Sequence, residues 1–592
     1  MLTLKKTLDI LSHINSPADL KHLSIEELTL LCSNVRDAII EQLAITPGHF
    51  GASLGVVELT IAIHSIFDTP NDKLVWDVGH QAYAHKIITD RKNRFNTLRT
   101  KNGISGFPKI SESIYDNFGT GHSSTSIGAI MGMAVASKLD DNPNRQHIAV
   151  IGDGALTAGM AFEALNNLNE LDANILIIIN DNQQSIDDSV GALEKHLDKL
   201  RNKSSDNIFN NLNLDYYGIV NGNNLNEIHN ELLEQKNKKG IRILHCKTKK
   251  GFGYKHSENG NATTWHAPGK FDIKSGERQL ENIELPNKYQ DVFGKTLIDL
   301  ARTNKNIVAI TPAMVSGSSL HWFKEEFPER FFDVGIAEQH AVTFSAGLAA
   351  QGKIPFCVIY STFLQRAYDQ IVHDVALQNL PVIFCIDRAG IVGEDGATHH
   401  GVFDISFLRA LPNMVIVSPR NEQELINVMH WATKNAKQPI AIRYPRGRGI
   451  LNYLEPAQTV HLGKGSLLKK GKDIAIISAG KTAQEVTEAI NVLKDDKISP
   501  SHYDIRFIKP LDTLLLDKVF TSYKHLVIVE DGIKAGGLGS AILEYLATTD
   551  KQIKVSLLGI DDIFVEHGSV KDLYSSTGIG SREITAHISN LK

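Results

Sequence analysis

Short apolar runs alternate with longer segments of mixed polarity along most of this chain. His147–Ile151 and Ile175–Ile179 are nearly continuous apolar runs, and Ala158–Leu171 between them has the spacing of a helix. Continuous apolar runs of this length are typical of parallel strands that are buried on both faces. Because strands and helices alternate in this way almost throughout, the pattern predicts an α/β fold of mostly parallel sheets flanked by helices.

Three segments with this pattern follow one another. We predict a first domain at residues 1–285, a second at 286–455 and a third at 456–592. The first contains a polar interval at about 185–213, which is predicted to be mobile, with some helix, and to lie outside the core. The strands predicted in the second and third segments are Ile307–Ile310, Ile354–Tyr360, Val382–Asp387, Met414–Ser418, Ile440–Arg443, Ile474–Ser478, Tyr503–Phe507, His525–Glu530 and Lys554–Leu558.

Composition narrows the class of protein. A chain of 592 residues is too long to fold around a single hydrophobic core. Its hydrophobic content of 42% and charged content of 22% are those of a globular protein. The net charge of −5 gives no reason to expect a nucleic-acid or membrane partner. No signal peptide and no membrane-length apolar run is visible. We expect reduced thiols, no cysteine zinc site and a cytoplasmic location, because no CxxC pair occurs among Cys32, Cys246, Cys357 and Cys385.

Candidate chemistry begins where two predicted strands end. Gly152-Asp153-Gly154 follows the first strand, and Asn182 follows the second, 29 positions after Asp153. Open α/β sheets bind ligands at the carboxyl ends of their strands. Carboxylate and amide oxygens suit Mg²⁺, and the glycines let the backbone approach phosphates closely. The spacing is similar to the motif that binds thiamine diphosphate with Mg²⁺. For Gly-Asp-Gly taken alone, an ordinary turn is the alternative.

Glu338 is the candidate for activating such a cofactor. Thiamine chemistry needs a carboxylic acid against a pyrimidine nitrogen, in an apolar setting where the acid can share a proton. Glu338 stands directly before an apolar helix that is predicted at Ala341–Ala350. The alternative is a glutamate that is favoured at a helix N-terminus by the helix dipole.

Histidines and arginines add candidates for proton transfer and for binding an anion. Arg388 follows a predicted strand and Arg446 follows Arg443-Tyr-Pro, and a forked guanidinium suits a phosphate monoester. The alternative for each arginine is a structural salt bridge, and for each histidine a cap or a buried polar residue. Five of the 24 histidines lie in turns rich in Gly, Ser or Thr, where an imidazole suits proton transfer, namely His49, His80, His122, His266 and His399.

Longer strings identify the family that the chain resembles. They include WDVGHQAY at 76–83, GDGALTAGMAFEALN at 152–166, DVGIAEQHAVTFSAGLA at 333–349, YSTFLQRAYDQIVHDVALQ at 360–378 and IDRAGIVGEDGATHHGVFD at 386–404. With them, the chain resembles the 1-deoxy-D-xylulose-5-phosphate synthase family of the transketolase superfamily over nearly its whole length. The resemblance implies three α/β domains, a homodimer, and thiamine diphosphate with Mg²⁺. It also implies condensation of pyruvate with glyceraldehyde 3-phosphate and loss of CO₂, the first step of non-mevalonate isoprenoid synthesis.

The resemblance also implies a role for each candidate residue. The ligands of Mg²⁺ would be Asp153, Asn182 and Gln184. The cofactor would contact His80, Gly121, His122, Ser123, Gly154, Ala155, Asn182, Tyr254 and Glu338. The catalytic residues would be Glu338, His49, His80, His266 and His399. The substrate would contact Tyr360, Arg388, Asp395, His399 and Arg446, with both arginines on its phosphate.

Two other functions stay open. A transketolase, or another thiamine-dependent enzyme that decarboxylates pyruvate, would share the cofactor site and differ in its substrates. A non-catalytic thiamine-binding paralogue would share the fold, but Glu338 and the five histidines argue against it. Release of CO₂ together with a pentulose phosphate separates the synthase from both.

Overall fold

The computed structural model describes residues 9–183, 190–279, 285–494 and 497–591. The chain divides by compactness into two units, Met1–Leu280 with Gly335–Ala337 and Glu281–Val334 with Glu338–Lys592. The predicted α/β class with mostly parallel sheets is confirmed. None of the helices in the described ranges has both the length and the hydropathy of a membrane-spanning segment.

The first unit is built on one sheet of five parallel strands in the order β1-β2-β3-β5-β4. The predicted strands His147–Ile151 and Ile175–Ile179 are β2 and β3, and every residue of β3 is buried. The strands are β1 (Lys73–Trp76), β2 (His147–Gly152), β3 (Ile175–Asp181), β4 (Asp215–Asn221) and β5 (Ile241–Lys247).

Helices cover both faces of this sheet. Leu176 and Ile178 of β3 belong to one hydrophobic core, and Ile177 between them belongs to another, as alternation along a strand requires. The helices are α1 (Ile25–Ile45), α2 (Phe50–Gly55), α3 (Val57–Ile66), α4 (Tyr83–Lys86), α5 (Ser126–Leu139), α6 (Gly159–Asn167), α7 (Ala192–Arg201), α8 (Ile208–Asn211), α9 (Leu225–Asn237), α10 (Lys255–Glu258) and α11 (Ala262–His266).

The polar interval at about 185–213 lies partly outside the described residues. In its described part, Leu197, Leu200 and Phe209 are buried in a core of the first unit. The expectation that the interval lies outside the core is therefore wrong for these residues. Leu193, Leu197 and Leu200 recur at the spacing of one helix face, a pattern that the polar composition conceals.

The second unit contains two sheets. One has seven strands in the order β15-β10-β11-β9-β8-β6-β7, and the other has five in the order β12-β14-β13-β16-β17. Neighbouring strands are parallel except β10 with β15 and β12 with β14. The strands are β6 (Ile307–Thr311), β7 (Phe331–Asp333), β8 (Ile354–Tyr360), β9 (Ile383–Asp387), β10 (Val415–Val417), β11 (Ile440–Arg443), β12 (Ser466–Lys469), β13 (Ile474–Ser478), β14 (Ser501–Asp504), β15 (Phe507–Lys509), β16 (His525–Ile533) and β17 (Lys554–Ile560).

The helix predicted at Ala341–Ala350 begins three residues earlier, so Glu338 is its first residue. The helices of the second unit are α12 (Tyr289–Thr303), α13 (His321–Glu326), α14 (Glu338–Ala350), α15 (Ser361–Leu364), α16 (Tyr368–Gln370), α17 (Asp404–Arg409), α18 (Glu422–Asn435), α19 (Thr482–Leu493), α20 (Thr513–Ser522), α21 (Leu538–Ala547), α22 (Val570–Ser576) and α23 (Ser581–Ser589).

One predicted strand, Tyr503–Phe507, is in fact two. β14 ends at Asp504 and pairs with β13, whereas β15 begins at Phe507 and pairs with β10 in the other sheet. Between them Arg506 has a φ of 54°, and its N–H donates to the Asp504 carboxylate at 3.1 Å. The turn is hidden in the sequence because arginine carries no turn signal. The division into three domains stays a prediction, since the second and third fall within one compact unit.

Candidate active site

Asp153 and Asn182 follow neighbouring parallel strands at one edge of the first sheet, directly after β2 and β3. The Asp153 N–H donates to the carbonyl of Asn180 at 3.3 Å, which holds the Gly-Asp-Gly turn against the end of β3. Gln184, the third predicted metal ligand, lies outside the described residues.

Asp153 lies in a buried and negative environment. Asp153 is 2% exposed. Its burial raises the pKa of its carboxyl to about 8, with a smaller contribution from the charges of Asp181 and Glu194. A bound cation would relieve both effects, so this carboxyl fits a divalent ion that prefers oxygen ligands. Within the described ranges, no group of three or more His, Cys, Asp and Glu side chains is arranged for a metal ion.

The two turns that are predicted to contact the cofactor are joined by a hydrogen bond. Ser124 Oγ donates to the carbonyl of Ala155 at 2.6 Å. The N–H groups of Ser124 and Ser126 donate to the carboxylate of Asp77 at 2.7 and 3.0 Å, which fixes the start of α5. The predicted cofactor residues on these two turns are Gly121, His122, Ser123, Gly154 and Ala155.

His49, His80 and His266 form one cluster in the first unit. The ring centroids of His49 and His80 are 6.0 Å apart, those of His49 and His266 are 5.9 Å apart, and those of His80 and His266 are 5.7 Å apart. The ring of Phe107 packs on His49 at 5.1 Å, and the hydroxyl of Tyr83 lies 3.3 Å from His49 Nδ1. Three of the five predicted histidines are thus brought together from distant parts of the chain.

His80 is held in its neutral form. Burial, followed by the positive charge of Lys250, lowers its pKa to about 3. Its Nδ1 is buried and has no hydrogen-bond partner among the residues that the structure describes. A neutral imidazole with an open nitrogen can exchange a proton or hydrogen bond with a ligand.

Tyr254 packs behind this cluster. Its ring contacts those of Phe50 and Trp265, both at 5.5 Å, and its hydroxyl donates to the carbonyl of Ile273 at 2.9 Å. Phe50 and Trp265 each adjoin a histidine of the cluster in the sequence. Tyr254 therefore supports the cluster through packing, and its contact with the cofactor stays a prediction.

Glu338 is buried at the start of α14 and is 4% exposed. Burial raises its pKa, partly opposed by Arg366, whose Nη1 lies 4.0 Å from Glu338 Oε2. Within the described part of the chain, this Oε2 makes no hydrogen bond. A helix dipole would favour the ionised form, whereas burial raises the pKa of this carboxyl. Such a carboxyl can share a proton with a ligand nitrogen.

Tyr360, Arg388 and His399 lie together in the second unit. The guanidinium carbon of Arg388 is 4.4 Å from the centre of the Tyr360 ring. Phe363 stacks on Tyr360 at 5.6 Å and meets His399 edge-on at 5.6 Å. Thr398 Oγ1 lies 2.9 Å from His399 Nδ1, which fixes the orientation of the imidazole. Three of the predicted substrate residues therefore form one group.

The two predicted phosphate-binding arginines differ in their surroundings. Arg388 pairs with the buried carboxylate of Asp387 at 2.7 Å, so the salt-bridge alternative holds for part of its guanidinium. The side chain of Arg446 is 41% exposed, and its Nη1 donates to the Val392 carbonyl at 3.0 Å and lies 3.8 Å from Asp395. A half-exposed guanidinium has five N–H donors and can bind an anion in a forked geometry.

Two charged residues of these sites are not among the site residues that the sequence predicts. Arg366, beside Glu338, lies inside the string at 360–378, and that position was its signal. Asp181 directly precedes a predicted metal ligand, and it accepts from Arg201 at 2.6 Å and pairs with His245 at 2.7 Å. Arg366 changes the pKa of Glu338 and Asp181 changes that of Asp153. Both effects depend on packing that the sequence does not display.

Three family models match the chain. They are described as 1-deoxy-D-xylulose-5-phosphate synthase at residues 11–207, transketolase pyrimidine-binding domain at 286–449 and transketolase C-terminal domain at 463–584. Proteins named 1-deoxy-D-xylulose-5-phosphate synthase from Cytophaga hutchinsonii and Parabacteroides distasonis are 48% and 46% identical to it, each over 98% of both chains. A solved transketolase from Campylobacter jejuni is 18% identical over 96% of this chain and 100% of its own, with a TM-score of 0.45.

The matched domains define a thiamine-diphosphate-dependent enzyme of the transketolase class. The sequence identity to the two bacterial relatives extends over almost their full length, which points to one family within that class. The chain belongs to the 1-deoxy-D-xylulose-5-phosphate synthase family.

Proposed function

We propose that this chain condenses pyruvate with D-glyceraldehyde 3-phosphate to give 1-deoxy-D-xylulose 5-phosphate and CO₂. This is the first step of non-mevalonate isoprenoid synthesis and also supplies a precursor of thiamine and pyridoxal. The observation that carries the proposal is the buried carboxyl of Glu338, with a raised pKa and an Oε2 that has no hydrogen-bond partner among the described residues. Thiamine diphosphate, when bound, supplies a nucleophilic carbon and an electron sink for the loss of CO₂.

Mg²⁺ is the proposed second part of the cofactor, held by the side-chain oxygens of Asp153 and Asn182. Support comes from the burial of Asp153 beside the charges of Asp181 and Glu194, which favours a cation there. Mg²⁺ prefers oxygen ligands and shares its coordination with phosphates. Gln184 belongs to the proposed ligand set on the family resemblance alone.

Proton transfer is assigned to the buried acid and the histidines. Glu338 would share its proton with the pyrimidine nitrogen of the cofactor, since burial favours its protonated form. His49, His80 and His266 would contact the reacting carbonyl, and the neutral state of His80 suits a hydrogen-bonding role. His399 is the proposed donor of the proton that turns the aldehyde oxygen into a hydroxyl.

Substrate binding is assigned to the second unit. Arg388 and Arg446 would bind the phosphate, because guanidinium groups offer paired N–H donors to its oxygens. Tyr360 and Asp395 would line the same site, in keeping with the contact of Tyr360 with Arg388 and the 3.8 Å separation of Asp395 and Arg446.

A homodimer and a cytoplasmic location complete the proposal. Helix α5 exposes Val135 and Leu139 by 38% and 79%, and α6 exposes Met160 by 39%. Exposed apolar side chains that lie near one another often mark a contact between subunits. All four cysteines are free and buried, as expected where thiols stay reduced.

The test is product formation from pyruvate and glyceraldehyde 3-phosphate, with CO₂ and the pentulose phosphate recorded together. The wild-type protein should form both, and Glu338→Ala should lower kcat by about 10²- to 10⁴-fold, the usual contribution of a positioned acid. Glu530→Gln is the matched control. Glu530 is also buried, with a pKa raised to about 7, but its oxygens accept the N–H groups of Leu538 and Gly539 at 2.8 and 2.9 Å, so kcat should not change.

Other outcomes separate the alternatives. CO₂ without the pentulose phosphate would indicate a different pyruvate-decarboxylating enzyme. Neither product, with cofactor bound, would refute the synthase and favour a transketolase or a non-catalytic paralogue. Full activity of Glu338→Ala would refute the role of the buried acid.

A further inference from the structure

The substrate loop, residues 388–401, follows β9 and carries Arg388, Asp395 and His399. Its ends are joined, because Gly390 N–H donates to the Gly401 carbonyl at 2.7 Å and Gly401 N–H donates back at 2.8 Å. The residues between these two glycines therefore form a closed excursion. Contacts made by the excursion itself must set its shape.

The excursion rests on the chain segment 566–570 near the C-terminus. A Cβ at Gly396 would lie 3.0 Å from the Cβ of His567, and a Cβ at Gly393 would lie 3.4 Å from the Gly568 carbonyl. Both loop glycines also have a positive φ, of 71° and 106°. Backbone thus packs closely against backbone here, which glycine permits.

His400 is the polar link between the two segments. It is 2% exposed, its Nδ1 accepts the Val392 N–H at 3.1 Å, and its Nε2 lies 3.1 Å from the Glu566 carbonyl. A backbone N–H can donate and a carbonyl can accept, so the imidazole is neutral with its proton on Nε2. Both ring nitrogens are occupied by backbone groups, which gives His400 no part in proton transfer.

The same residue, Val392, supports Arg446. Val392 gives its N–H to His400 and its carbonyl to Arg446 Nη1 at 3.0 Å. The two groups are joined through the Cα of Val392, so the bond to His400 restrains the position of that carbonyl. Loss of this bond would leave the buried N–H of Val392 without its acceptor, which the loop could relieve by moving.

We propose that His400 is a positioning residue for phosphate binding, since it ties Val392 to Glu566 and so fixes the carbonyl that orients Arg446. The inference rests on the proposed function of Arg446 for its kinetic consequence. The hydrogen-bond link itself can be measured independently of activity.

The experiment compares three variants of the full-length holoenzyme. His400→Leu removes both hydrogen bonds, whereas His400→Gln keeps one acceptor and one donor. His502→Leu is the matched control, because His502 is a buried histidine of β14 that bonds Ser478 Oγ at 2.8 Å. The readouts are the KM for each substrate, kcat, and the hydrogen-exchange rate of the Val392 amide.

We expect His400→Leu to raise the KM for glyceraldehyde 3-phosphate about tenfold, the effect of losing roughly one hydrogen bond, with the KM for pyruvate unchanged. Exchange of the Val392 amide should quicken, and His400→Gln should restore much of both properties. His502→Leu should lower Tm without moving either KM or the exchange rate.

The proposal is overturned if His400→Leu leaves the Val392 amide protected, or if it lowers Tm with no change in the KM for the phosphorylated aldehyde. If the wild-type protein forms no pentulose phosphate, the proposed function fails. Unchanged exchange at Val392 would then still overturn the link, and faster exchange would support it.

Discussion

Asp116 is the centre of a buried network of charges in the first unit. Its carboxylate accepts from Arg91 Nη1 and Nη2 at 2.6 and 3.0 Å and from the Lys109 N–H at 2.8 Å, and it pairs with His85 Nε2 at 2.9 Å. Asp116 and Arg91 are 3% and 2% exposed. Burial alone would raise the pKa of this carboxyl, but the bonds from His85 and Arg91 hold it well below its usual range.

We predict that Asp116→Asn, which removes the charge at nearly constant size, is strongly destabilising. Breaking a buried ion pair costs about 3–5 kcal/mol, because the remaining charge is left without compensation. Arg91 keeps a second partner, Glu112, at 3.1 Å, so we expect the lower end, about 3 kcal/mol. At about 2–4 °C per kcal/mol, this lowers the Tm of the first unit by roughly 6–12 °C.

Differential scanning calorimetry measures this change. Asp172→Asn is the control, because Asp172 pairs with Lys138 at 2.9 Å with its side chain 96% exposed, and an exposed pair contributes little. The double variant Asp116→Asn with Arg91→Met should lose less than the sum of the two single losses. A Tm of Asp116→Asn equal to that of the control would refute the reasoning.

Asp116→Asn should also disturb the packing of the cluster formed by His49, His80 and His266. Asp116 and Glu112 accept the N–H groups of Lys109 and Ser105 at 2.8 and 2.6 Å, on either side of Phe107 in the sequence. Since Phe107 packs on a catalytic candidate, we expect a lowered kcat in Asp116→Asn even at temperatures where it is folded.

Two further predictions concern acid and phosphate. Burial, followed by the charge of Arg420, lowers the pKa of His502 from its ordinary 6.5 to about 4, so the stability that depends on its neutral form is present above pH 6.5 and falls as the pH drops toward 4. Between pH 6.5 and 5, this effect should lower the unfolding free energy of the wild-type protein by about 2 kcal/mol. His502→Gln lacks the titrating group, so its unfolding free energy should fall by about 2 kcal/mol less over the same range. Equal losses in the two proteins would contradict this. Arg446→Lys should raise the KM for glyceraldehyde 3-phosphate about tenfold, because a single ammonium group replaces the paired N–H donors of a guanidinium. Arg448→Lys should leave this KM unchanged. A rise in the KM for pyruvate instead would place Arg446 elsewhere.

The strands that the sequence predicts are those buried on both faces. β3 and β8 are continuous apolar runs, and periodicity alone gives their bounds to within two residues. β4 and β12 lie at sheet edges, and most of their residues are half-buried or exposed. An edge strand needs no apolar run, because solvent covers part of its surface, so nothing in its composition separates it from a loop.

The candidate site divides along a similar line. Motif residues such as Asp153 are predictable because a strand end and a ligand type can both be read locally. Thr398-His399-His400-Gly401 offers two adjacent histidines, and local sequence gives no reason to choose between them. The choice depends on Val392 and Glu566, the second of which is 166 residues away in the chain. With both nitrogens bonded to backbone, His400 has no ring nitrogen left for a substrate, so His399 stays the proposed proton donor.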